Sequence, residues 1–66
     1  MKEYTNDDMV HVIEQHVHSE RDRAILKRRY IDGIYLDPLS EEFDLTPRQV
    51  RNILRKYEAV LFKHLA

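Results

Sequence analysis

Arg48, Gln49, Arg51 and Asn52 stand close together near the C-terminal end of the chain, with Arg55 and Lys56 one helical turn further on. These side chains end in planar, multidentate groups. A guanidinium can donate two parallel hydrogen bonds to the O6 and N7 edge of guanine, and an asparagine or glutamine amide can exchange a pair with adenine. The chemistry on offer is therefore the reading of base edges by Arg48, Gln49, Arg51 and Asn52. Thr46, Arg55, Lys56 and, further upstream, Tyr35 are candidates for contacts to backbone phosphate, which hydroxyls and cations make without regard to sequence. A second basic run, Lys27-Arg28-Arg29, is the weaker candidate, because cations at the end of a helix are common for purely structural reasons.

Other chemistries find less to work with. His11, His16, His18 and His64 could suggest a metal, but no metal and no cofactor is expected from them. The chain contains no cysteine, which removes disulfides, thiolate metal sites and a thiol nucleophile. No Ser/His/Asp set, carboxylate pair or glycine-rich loop is present, and so short a chain offers little pocket volume, so an enzyme is not expected.

The elements that must position these residues read as helices. One glycine and two prolines leave few turn signals for strands, and the apolar spacing is helical throughout. The expected class is all-α, a single domain over residues 1–66 with helices at about 6–18, 20–32, 38–43 and 47–64. Asn6 is the expected cap of the first helix, with Asp7 and Asp8 in its first turn and Met9, Val10, Ile13 and Val17 on its apolar face. Ser19 caps the second, whose stripe is Ile25, Leu26, Tyr30 and Ile31, and Gly33 stops it with a left-handed residue. Asp37-Pro38 starts the third, and Thr46-Pro47, with Gln49 completing a capping box, starts the fourth. Val50, Ile53, Leu54, Tyr57, Val60, Leu61 and Leu65 then repeat at helical spacing.

The third and fourth of these helices meet the requirements of a helix-turn-helix. The first is short, Ser40 is the small residue where the helices cross, Asp44 takes the turn, and Val50 is the β-branched brace. Leu36, Leu39, Phe43, Leu45, Val50 and Leu54 make the seam. Aspartate at the turn accepts a left-handed conformation less readily than the glycine commonly found there.

A net charge of −1 conceals a strong asymmetry. Residues 1–22 carry Lys2 and Arg21 against Glu3, Asp7, Asp8, Glu14, Glu20 and Asp22, a balance of −4; residues 46–66 carry Arg48, Arg51, Arg55, Lys56 and Lys63 against Glu58, a balance of +4. Such a split points to a polyanion at one end. No apolar run approaches the roughly 18 residues of a membrane helix, and Met1-Lys2-Glu3-Tyr4 has no signal-peptide core, so a soluble cytoplasmic protein without membrane contact is expected.

Ser19-Glu20-Arg21-Asp22-Arg23-Ala24-Ile25-Leu26, Arg29-Tyr30-Ile31-Asp32-Gly33, Phe43-Asp44-Leu45-Thr46 and Val50-Arg51 stand in one register, and together they resemble region 4 of bacterial sigma factors over about Ser19 to Leu65. The resemblance implies a four-helix domain that places its last helix in the major groove of promoter DNA and touches RNA polymerase. Two departures qualify it. The chain has no room for the region that melts the −10 element, and Pro47 and Arg48 stand where housekeeping sigma factors carry arginine and glutamate, so a standard −35 target is not implied. Two further readings stay open. One is an interaction module that keeps the fold but binds polymerase or a sigma factor without reading DNA, motivated by the acidic first helix and the spread of Val10, Val12, Ile13 and Val17 over more than one face. The other is a homodimer through an apolar strip at Val60 and Phe62.

Overall fold

The computed structural model describes residues 4–65, which form four helices and, among the described residues, no strand: α1 (Asn6–His16), α2 (Glu20–Tyr30), α3 (Leu36–Glu42) and α4 (Pro47–Leu65). The protein is all-α, as its apolar spacing requires. Helix α4 is the spine. Helices α1, α2 and α3 all pack against it, and the side chains that fill the interior come from every helix. Ile13, Val17, Ile25, Leu26, Leu39, Val50 and Leu61 have no exposed surface, and Met9, Val12, Leu54 and Leu65 complete one core cluster. Tyr30, Ile31, Ile34, Leu36, Phe43, Leu45, Ile53, Tyr57 and Phe62 pack around it partly buried. No helix among the described residues is long and apolar enough to cross a membrane.

The helix ends refine several of the expectations. Thr5, not Asn6, caps α1: its Oγ1 accepts from the Asp8 amide at 3.2 Å, and the Asp8 carboxylate accepts from the Thr5 amide at 3.0 Å. This reciprocal pair satisfies two of the unpartnered amides at a helix start, whereas a lone asparagine cap satisfies one. Helix α1 also stops at His16, two residues early. Val17 turns to an extended backbone to bury its side chain, and the Arg23 guanidinium donates to the carbonyls of Val17 and Glu14 that the helix leaves open.

Ser19 caps α2 as expected, with its Oγ accepting from the Asp22 amide at 3.3 Å. The helix ends at Tyr30. The Lys27 carbonyl then accepts from the amides of Ile31 and Asp32, and the Arg28 carbonyl from that of Ile34, around Gly33 at φ 73°. A Cβ at Gly33 would meet nothing within 4 Å, so the cost of a side chain there is that of the backbone conformation alone. Gly33→Ala should therefore destabilise the fold by about 1 kcal/mol, and Gly33→Asn by less, since asparagine tolerates the left-handed region. Urea midpoints for the two variants test the ordering. An alanine variant as stable as the parent would show that the turn can rearrange.

Helix α3 begins at Leu36, two residues before the expected start, with Tyr35 at its cap and no capping side chain. Pro38 is tolerated at the third helical position because amides in the first turn have no intrahelical partner to lose. Asp37 is then inside the first turn, where its charge faces the positive end of the helix. Ser40 is buried, and its hydroxyl donates to the Asp37 carbonyl at 2.8 Å. Phe43 to Thr46 connects α3 to α4, with Asp44 at φ 56° and the Leu45 amide donating to the Ser40 carbonyl at 2.8 Å. An arginine clamp ties α2 to α3 across this corner. Arg28 reaches both carboxylate oxygens of Glu42 at 2.9 to 3.1 Å and Asp32 at 3.0 Å, and these hydrogen bonds, Glu42 first, push the guanidinium pKa above its ordinary value.

Candidate nucleic-acid interface

The start of α4 is where the sequence places it. The Gln49 amide donates to Thr46 Oγ1 at 3.1 Å and the Thr46 amide donates to Gln49 Oε1 at 2.8 Å, which closes the capping box in front of Pro47. From this fixed start, Val50, Leu54, Leu61 and Leu65 turn into the core. Helical geometry sends the intervening side chains outward, and Arg48, Arg51, Asn52, Arg55 and Lys56 are all exposed over the first half of the helix.

Their electrostatic state separates them from Arg21, Lys27 and Arg28. Ion pairs among the described residues use Arg21, Lys27 and Arg28. Arg48, Arg51 and Arg55 have no carboxylate within 4.0 Å among the described residues, and Lys56 Nζ rests 5.2 Å from the centre of the Tyr57 ring. The Lys27-Arg28-Arg29 run is mostly consumed inside the molecule: Lys27 pairs with Glu14 at 3.5 Å and Arg28 with Glu42 and Asp32. Only Arg29 escapes, through a long 3.4 Å contact to the Ile34 carbonyl, and it lines a cleft of about 250 Å³ with Tyr30, Leu36, Arg51, Leu54, Arg55 and Glu58. Sequence spacing gave no sign of this neighbourhood, because Arg29 lies a whole helix and two turns away along the chain.

Gln49 is the one proposed base reader whose side chain is already engaged. Its Oε1 is held by the Thr46 amide, so a two-point contact with adenine would break the capping box. Arg48, Arg51 and Asn52 carry no such commitment. Thr46 keeps its hydroxyl proton free to donate to a phosphate, and Tyr35, 76% exposed at the start of α3, stands outside the packed interior.

No family model, curated protein or solved structure matches the chain. Its reading rests on its own residues.

Two features escaped sequence reading. Asp22, which the sequence shows only as part of the acidic balance of residues 1–22, is a buried carboxylate that accepts from the Tyr57 hydroxyl at 2.9 Å and from the Arg21 guanidinium at 3.2 Å. The bond ties α2 to the middle of α4. Burial first, then the hydrogen bond to Asp22 and its charge, raise the Tyr57 pKa, while burial and Glu58 raise that of Tyr30. The second feature is a pair of imidazoles, His16 and His64, stacked with ring centres 4.0 Å apart and planes 14° from parallel.

The apolar surfaces expected to attract protein partners are largely taken up within the chain. Val12, Ile13 and Val17 of α1 are buried, and Val10 is half-buried. Phe62 packs its edge against Tyr30 at 5.7 Å between ring centres, with Tyr4 at 6.4 Å, which leaves Val60, 38% exposed, without a continuous strip.

Proposed function

We propose that the chain is a sequence-specific DNA-binding transcription regulator of bacterial or phage type, resembling sigma factor region 4 and acting in the cytoplasm. In this reading α3 and α4 form the helix-turn-helix. The first two turns of α4 enter the major groove of promoter DNA, where Arg48, Arg51 and Asn52 read bases while Thr46, Arg55, Lys56 and Tyr35 hold phosphates. Gln49 serves first as the cap that orients the helix. RNA polymerase is the protein partner that the resemblance suggests, met by surfaces away from α4's first half. No catalytic role is proposed.

The observation that carries this reading is the unneutralised, exposed set of Arg48, Arg51 and Arg55 on one helix of a protein that pairs or internally bonds most of its other cations. Arginine left free over the start of a rigid helix, beside an asparagine, has the geometry and charge for a groove. A fluorescence titration against duplex DNA tests it. Binding should weaken as salt rises, and the slope of log K against log salt should shrink by about 1 for each phosphate-contacting cation removed, Arg55→Ala among them. Arg48→Ala and Arg51→Ala should each weaken binding to a sequence selected from random DNA by about 1–3 kcal/mol, with relaxed base preference. Absent or salt-insensitive binding would refute the proposal. The reading in which this fold binds polymerase or a sigma factor without DNA drew on the acidic first helix and on apolar side chains of which Val12, Ile13 and Val17 lie in the core and Val10 is half-buried, and a homodimer drew on a strip that Phe62 does not complete, so the apolar surface favours neither.

A further inference from the structure

Helix α1 is held against α4 by an aromatic contact at each end. Tyr4 meets Phe62 before its first turn, and His16 meets His64 at its last. Between them Met9, Val12 and Ile13 supply the buried contacts. The two ends differ in chemistry, because only the second can acquire charge near neutral pH.

We propose that His16 and His64 form an acid-sensitive latch between the last turns of α1 and α4. Neutral imidazoles stack favourably, and a side chain of this type ordinarily takes up its proton near pH 6.5. Two protonated rings with centres 4.0 Å apart repel each other. The elements that meet at this end carry Glu14 on α1, Glu20, Arg23 and Lys27 on α2 beside the ion-paired Arg21 and Asp22, and Lys63 on α4, with His18 in the turn between α1 and α2. Glu14 is paired with Lys27 at 3.5 Å. The terminal carbonyls of α1, which would favour a cation, already receive the Arg23 guanidinium at Val17 and Glu14. Among the described residues of this group Glu20 is the carboxylate in no ion pair. The end of α4 favours one cation at His64, but a second charge 4.0 Å away opposes it, so α1 loosens from α4 as falling pH makes the pair doubly charged.

A four-protein cycle isolates the effect: the parent, His16→Phe, His64→Phe and the double variant, each unfolded in urea at about pH 7.5 and about pH 5.5. Phenylalanine keeps a flat ring for stacking and cannot be protonated, and His11 and His18 are common to all four proteins. On acidification the folding equilibrium constant of the parent should fall about fivefold further than that of either single variant, as expected for two partly exposed charges at this separation. The coupling between positions 16 and 64 should change from attractive to repulsive. A coupling that is the same at both pH values, or that strengthens in acid, would overturn the latch.

Discussion

Leu61→Ala should remove a large share of the stability of the fold. Leu61 has no exposed surface and sits in the single core cluster that α1 shares with α4. Truncating such a leucine removes its burial and leaves a cavity that the neighbours fill only in part, at a cost of about 2–5 kcal/mol. A domain of 66 residues, at roughly 0.05–0.15 kcal/mol per residue, has a total stability of about 3–10 kcal/mol from which to lose it. The adjacent residue provides the control. Val60 is 38% exposed, and Val60→Ala should shift stability by no more than about 0.5 kcal/mol. Urea unfolding followed by far-ultraviolet circular dichroism reads both, and equal midpoints for the two variants would contradict the assignment of the core face of α4.

The second large effect is expected where α2 meets α4. Tyr57→Phe keeps the ring and removes the hydroxyl that donates to Asp22 at 2.9 Å, which leaves a buried carboxylate with the Arg21 contact alone. Removing one partner of a buried hydrogen bond to a charged group costs about 1–3 kcal/mol. The bond also has a signature in pH. The folded protein holds the Tyr57 proton more tightly than the unfolded chain does, since burial and Asp22 raise its pKa. The associated stability is therefore fully present below the ordinary tyrosine value of about 10 and is lost as pH rises through the raised one. Tyr57→Phe should be less stable than the parent at neutral pH and should lack this alkaline loss. Parallel pH profiles for the two proteins would count against the bond.

The parts of the fold that could be read from the sequence are those specified by local chemistry. Thr46, Pro47 and Gln49 determine a helix start within four residues of chain, Gly33 determines a stop, and the apolar period of α4 identifies its buried side. Asn6 and Asp37 misled for a related reason. Each is a good cap in isolation, but Thr5 with Asp8 satisfies more of the backbone, and the Leu39 amide donating to the Tyr35 carbonyl at 3.0 Å carries α3 two residues further back than a start at the proline. The candidate interface was legible as a face of one helix. What could not be read was which cations remain free, because Arg28 finds Glu42 and Lys27 finds Glu14 only after the helices pack. Asp22 with Tyr57 and His16 with His64 are likewise products of packing between segments distant along the chain.

The capping box has a practical consequence for redesign. Because Thr46 and Gln49 set the origin and direction of α4 while Val50 and Leu54 anchor it, positions 48, 51, 52 and 55 project from a frame that does not depend on their identity. A library randomised at those four positions without proline or glycine would vary the outward surface with little loss of folded protein. The same library extended to position 49 would lose members to misplaced helix starts, so the tolerance of the chain to change should drop sharply at a single site in the middle of the variable set.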